Sequence, residues 1–273
     1  MELIVFDLDG TLLNRHSALS SNTRDTLRQL AGQGIAYTVA TGRTLHAARD
    51  LLAGADFKLP HIYKNGVMIW QPDTDHYSHS KLLSMEEIRR IIEAFISQGV
   101  TPFIFTVAPG NRHAVYHLPW QSEPERRLAY DMATTRGLEV YPVEQMPADT
   151  DITNISALGS AAAIAAVRQQ VDHEQHLVAY AGVAIEGEQL HWIDIHHSDA
   201  SKGGAIEQLK QDLGISRVIC FGDSDNDLSM FAMADESYAP SNAKEQVKAA
   251  ATAVIGHHDE DGIAEFLQQR FLR

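Results

Sequence analysis

From Leu3 onward the chain alternates short apolar runs with amphipathic stretches, and that alternation admits few folds besides a parallel sheet covered by helices. Leu3 to Phe6 is apolar at every position, the pattern of a strand buried on both faces. Ser21, Asn22 and Thr23 offer N-caps for a helix that carries Leu27, Leu30 and Ala31 on one face and stops near Gly34. Ile35 to Ala40 reads as a second strand, Thr44 to Leu52 as a second helix, and His61 to Tyr63 as a third strand before a turn at Asn65-Gly66. From Lys81 to Gly187 the order changes. Helices are expected near Met85 to Ser97, Glu123 to Arg136 and Ala161 to Val171, with strands near Pro102 to Val107, Ile152 to Leu158 and Leu177 to Tyr180. Alternation returns with a strand at Leu190 to Ile195, a helix over Ser201 to Leu213, a strand at Arg217 to Phe221, and helices from Asn226 and from Glu260 to Phe271. The expected design is therefore an α/β domain of residues 1–80 and 188–273, with an α+β domain of residues 81–187 threaded through it.

Composition narrows the function. A chain of 273 residues has room for two domains at roughly 100 to 200 residues each. Its 22 Lys and Arg against 36 Asp and Glu give a formal charge of −14, which repels polyanions, and no basic patch offsets it. Nucleic acid and anionic membranes are thus not expected as partners. An anionic substrate would need a local cation. One cysteine, Cys220, permits no intrachain disulfide, and apolar runs such as Leu3 to Phe6 fall far short of the ~20 residues of a membrane helix. The Met-Glu start lacks the basic and apolar regions of a signal peptide, so a soluble cytoplasmic protein, monomeric or weakly homo-oligomeric, is the expectation.

Four short stretches carry chemistry. Asp7-Leu8-Asp9-Gly10-Thr11 puts two carboxylates at the end of the first strand, where open α/β sheets bind ligands. One can face a substrate while the other exchanges a proton with a leaving group, although a strand ending in a polar turn has the same composition. Thr41-Gly42-Arg43 follows the second strand, and its hydroxyl and backbone N–H groups suit phosphate oxygens as well as an ordinary N-cap. Ser201-Lys202-Gly203-Gly204 opens a helix and brings an ammonium group. Gly222-Asp223-Ser224-Asp225-Asn226-Asp227 follows an apolar strand, and three carboxylates with an amide in so short a span exceed what an N-cap needs. Such an oxygen-only donor set suits Mg²⁺. Fourteen histidines invite a metal reading, but His173 and His176, one helical turn apart at an expected helix end, read as solvated imidazoles rather than ligands. Phe103, Phe105, Tyr116, Trp120 and Tyr130 read as the small core of the inserted domain.

These four motifs, in this order, resemble the haloacid dehalogenase superfamily of aspartate-based phosphohydrolases. The likeness is to its Cof-like subfamily IIB branch, in which an α/β cap of the C2 type lies between the second and third motifs. Lys64-Asn65-Gly66-Val67 and Ser241-Asn242-Ala243 are similar to that branch as well. The segment before Lys202 lacks its usual proline and glycine, and Ser241 stands where glycine is usual, which leaves the role of Asn242 open. The resemblance implies a Rossmann-like core and a Mg²⁺-dependent phosphomonoester hydrolase acting on small phosphorylated metabolites, sugar phosphates first. It implies Asp7 as nucleophile and Asp9 as general acid/base, with Thr41, Gly42, Lys202 and Asn226 on the substrate. Asp7, Asp223 and the Asp9 backbone carbonyl would hold Mg²⁺, with Asp227 in support. A phosphohexomutase of related architecture, or a catalytically silent metabolite-binding regulator, carries the same motifs.

Overall fold

The structure is a computed structural model that describes residues 1–79, 81–108, 112–148, 150–184 and 189–272. The chain divides into two units, Met1–His79 with Ala200–Arg273 and Ser80–Asp199. In the first unit β1 (Glu2–Phe6), α1 (Ser21–Gly32), β2 (Ala36–Val39), α2 (Leu45–Leu52), β3 (His61–Tyr63), β4 (Met68–Gln71) and β5 (His76–His79) follow in order. The second unit contributes α3 (Met85–Ser97), β6 (Phe103–Ala108), β7 (Arg112–His117), α4 (Glu123–Thr134), β8 (Glu139–Pro142), β9 (Asp151–Ser160), α5 (Ala161–Val171), β10 (Leu177–Val183) and β11 (Leu190–His197). The first unit resumes with α6 (Lys202–Asp212), β12 (Arg217–Phe221), α7 (Leu228–Met233), β13 (Glu236–Pro240), α8 (Glu245–Ala250), β14 (Ala253–Ile255) and α9 (Gly262–Phe271).

A five-stranded parallel sheet in the order β14-β13-β12-β1-β2 forms the first unit. The apolar run of β1 explains its central place, because alternate side chains feed opposite faces. Ile4 and Phe6 pack with Leu27, Leu30, Leu45, Ile263 and Leu267 from α1, α2 and α9. Leu3 and Val5 pack with Ile206, Leu209, Met230 and Val247 from α6, α7 and α8. Helices therefore cover both faces. The sheet edge continues through a parallel bridge from Ala40 to Ile62 into the antiparallel β3-β4-β5. The α1 cap is Ser20 rather than any of Ser21, Asn22 or Thr23, because its Oγ accepts the Thr23 N–H at 2.9 Å.

The second unit is a six-stranded sheet, β10-β11-β9-β6-β7-β8, antiparallel except for the parallel pair β7 and β8. Residues of α3 and α5 pack with Ile104, Ile155, Ile193 and Ile195, and residues of α4 with Phe103, Phe105 and Val115. Tyr130 departs from the expected core set and is 71% exposed, pointing off α4. The expected domain boundary at 187/188 lies outside the described residues. The strand expected at Leu190 to Ile195 with the first domain runs on to His197 and belongs to the second, because it pairs with β10 and, over most of its length, with β9. Among the described residues no helix is long and apolar enough to cross a membrane.

His61 on β3 gives the first unit a pH dependence. Its ring is buried against Phe57, Tyr63 and Trp70, with centroids 5.7, 5.8 and 5.1 Å away, and its Nδ1 lies 2.8 Å from the Tyr63 hydroxyl. Burial pushes the imidazole from its ordinary 6.5 down to about 4, against a weaker upward pull from the Phe57 backbone. The folded state thus binds this proton less readily than the unfolded chain. Its stabilising contribution is whole above pH 6.5 and is lost as the pH falls toward 4. Between pH 7 and 4.5, urea midpoints should show the native chain losing about 2.5 kcal/mol more than His61→Gln. Equal losses in the two proteins would contradict this account.

Candidate active site

The site forms where loops leave the C-terminal ends of β1, β2 and β12. Asp7 follows β1, and its N–H donates to the Phe221 carbonyl at 2.9 Å, which fixes it beside the exit of β12. The chain then bends sharply at Gly10, with φ +76°. A Cβ there would lie 2.5 Å from Asp223 Oδ2, so glycine is required by conformation and by space. Thr11 Oγ1 donates to Asp223 Oδ1 at 3.1 Å. Asn242 closes the same corner, donating from Nδ2 to the Gly10 carbonyl at 2.8 Å and accepting the His258 N–H at 3.2 Å.

Asp227 organises the β12 exit from a fully buried position. Its Oδ2 accepts the N–H groups of Asp223 and Ser224, each at 2.9 Å, and its Oδ1 accepts Lys202 Nζ at 2.6 Å. Lys202 also donates to Asp7 Oδ1, at 2.5 Å. Ser201 caps α6 by accepting the Gly204 N–H at 3.0 Å, which places Lys202 at the first helical position. Its neighbour Gly203 runs so close to α7 that a Cβ would sit 2.2 Å from the Ser229 carbonyl oxygen. The ammonium is therefore carried on a tight helix contact rather than on a loose loop.

The Thr41 loop meets this group through Asn65. Thr41 is buried, and its hydroxyl accepts the Arg43 N–H at 3.1 Å. A Cβ on Gly42 would come 3.2 Å from Asn65 Oδ1. That oxygen accepts Asn226 Nδ2 at 2.9 Å, while Asn226 Oδ1 accepts the Ser224 hydroxyl at 2.7 Å. Asp9 turns instead toward Arg43, which donates to its two oxygens at 2.6 Å each.

One oxygen from each of Asp7, Asp223 and Asp227 lies within 4.8 Å of the others. Burial raises the Asp7 carboxyl well above its usual range, and Asp227 and Asp223 add to this while Lys202 opposes it. Asp223 is pushed to about 6 by burial and then by Asp227. Lys202 is itself held above its ordinary value: burial works to lower it, but Asp227 and Asp7 outweigh that. One ammonium thus faces three carboxylates, and the group lacks positive charge. The donors are hard oxygens, the set that a small divalent cation prefers. Both oxygens of Asp227 are engaged, so Asp7 and Asp223 have the capacity to take an ion.

Of the residues expected from sequence, Asp7, Asp223, Asp227 and Lys202 come together directly. Thr41, Gly42 and Asn226 join through Asn65, and Asp9 is held at one side by Arg43. Thr11, Arg43 and Asn65 were not among the expected site residues. All three lie inside the motifs, Thr11 in the first, Arg43 in the second and Asn65 in Lys64-Asn65-Gly66-Val67, but which side chains they meet is not visible there.

A family model of the haloacid dehalogenase-like hydrolases matches residues 4–267. The chain belongs to that family. This hydrolase is 28% identical to a 5-amino-6-(5-phospho-D-ribitylamino)uracil phosphatase of Bacillus subtilis over 98% of each chain. It is 25% identical to a pyridoxal phosphate phosphatase of Escherichia coli over 99% of its own length and 98% of that protein's. Among solved structures, a haloacid dehalogenase-like hydrolase from Bacillus subtilis superposes with a TM-score of 0.78 at 25% identity, covering 99% of this chain and all of that one.

Proposed function

We propose that this hydrolase cleaves phosphomonoesters of small metabolites, sugar and polyol phosphates first among them, with Mg²⁺ and through a phosphoryl group carried on Asp7. The enzyme is a phosphatase of its family, and relatives along its whole length bear that name. The observation that carries the finer reading is the buried Asp7 carboxylate, one oxygen on Lys202 and the other free of hydrogen bonds among the described residues, beside Asp223. The substrate class is supported by a relative named for a phosphorylated ribityl compound.

Asp7 and Asp223, with the Asp9 carbonyl, would hold Mg²⁺, which supplies positive charge to the phosphoryl oxygens and to the crowded carboxylates. The chain's own groups do the rest. In the first step an Asp7 oxygen forms a bond to phosphorus as the ester P–O bond breaks, and Asp9 gives its proton to the departing alkoxide. In the second, water attacks phosphorus, the aspartyl P–O bond breaks, and Asp9 takes the proton back. Lys202 keeps Asp7 oriented and offsets phosphate charge. Asp227 fixes Lys202 and the Asp223 backbone, and Asn226 locks the Thr41 loop through Asn65.

The test is phosphate release by the purified chain over a panel of phosphorylated metabolites. Release is expected with Mg²⁺ and not with EDTA, and a sugar bisphosphate should leave the rate unchanged. Mg²⁺ at roughly a hundred times its Kd should also stabilise the fold by about 2.7 kcal/mol. No release from any ester, together with no thermal shift, would refute the proposal, and stimulation by the bisphosphate would mark a mutase.

A further inference from the structure

Arg43 and Asp9 lie 34 positions apart in sequence, yet they meet edge to edge. Nε donates to Oδ2 and Nη2 to Oδ1, both at 2.6 Å, the fork geometry that only a guanidinium provides. The rest of the guanidinium is anchored too: Nη1 donates to the Ala47 carbonyl at 3.2 Å and Nη2 to the Ser17 hydroxyl at 3.3 Å. Four of the five donors an arginine has are thus spent within the protein. An arginine serving to grip a phosphate would keep its forked edge for the ligand.

The backbone of Arg43 is pinned as firmly. Its N–H goes to Thr41 Oγ1 at 3.1 Å, and its carbonyl accepts the Lys64 N–H at 3.1 Å. Asp9, in contrast, sits on the irregular turn that precedes Gly10, with its side chain 53% exposed against 21% for Arg43. An exposed carboxylate on a turn would sample several rotamers unless something held it.

We infer that Arg43 is a positioning residue, fixing the direction in which the Asp9 carboxylate meets the leaving group. The inference rests on the reading of Asp9 as general acid/base and extends it. Each carboxylate oxygen has two lone pairs, and the fork occupies one on each, so the remaining ones can carry the proton.

Leaving-group dependence tests this, because protonation matters for an alkoxide and little for p-nitrophenolate. In Arg43→Met, the single-turnover rate of the first step should fall about 10- to 100-fold for an alkyl phosphate and less than about 3-fold for p-nitrophenyl phosphate, with KM little changed for both. Asp9→Asn should show the same selectivity in the first step, more strongly, while the second step, where Asp9 takes a proton from water, slows alike for both esters. Arg43→Lys keeps the charge without the fork and is read the same way, so the result does not depend on one variant folding. Equal losses on both esters in the Arg43 variants, or a loss confined to KM, would overturn the inference if Asp9→Asn remains selective. If Asp9→Asn is itself unselective in the first step, the acid/base reading fails, and the inference with it.

Discussion

Asp7→Asn should leave a folded protein whose kcat for phosphate release is down by about 10⁴-fold or more. The amide has the shape of the carboxylate, and its oxygen still accepts Lys202 Nζ, so the corner between β1 and β12 keeps its geometry. What disappears is the anionic oxygen that must bond to phosphorus. Stability should move the other way. Burial and two neighbouring carboxylates make the ionised form of Asp7 unfavourable in the fold, with Lys202 only partly offsetting this. Neutralising it removes like-charge repulsion from a group in which three carboxylates share one ammonium. In EDTA the variant should therefore melt at or above the native temperature while releasing no phosphate. A variant that keeps turnover contradicts the covalent route.

Lys202→Met should be among the most destabilising single changes in the chain. Methionine is about as long and apolar, so the space stays filled, but Asp227, with no exposed surface, loses the cation on its Oδ1, and Asp7 loses it as well. Breaking a buried ion pair from one side typically costs about 3–5 kcal/mol, because the remaining charge cannot reach water. Urea denaturation in EDTA should show a loss of that order, and Lys202→Met/Asp227→Asn should recover part of it. A loss under about 1 kcal/mol would mean that the ammonium does not balance these carboxylates.

Much of the first unit was legible because it is built from local patterns. The apolar run Leu3 to Phe6 reads as a strand buried on both faces, and Asp7 at its end follows from that placement. Ser201 and Thr44 mark helix starts through hydroxyls that do cap α6 and α2. The strand Leu190–His197 was visible as a strand, but nothing in those eight residues says which sheet receives it. Membership is decided by β10, the strand just before it, and by β9, which lies beyond α5. The same limit applies in the site. The pairing of Arg43 with Asp9 and of Asn65 with Asn226 depends on loops from different strands meeting at one sheet edge, and no spacing encodes it. Asn65 left one trace, its place before Gly66 in a turn where both residues adopt positive φ.

Trapping the phosphorylated enzyme tests the central claim most directly. A rapid acid quench during turnover of a good substrate, followed by peptide mass spectrometry, should show one added phosphoryl group on the peptide that carries Asp7. The phosphoryl group should be gone once the substrate is exhausted and be absent from Asp7→Asn. Steady turnover with no labelled peptide, or with the label on any other residue, would contradict the account.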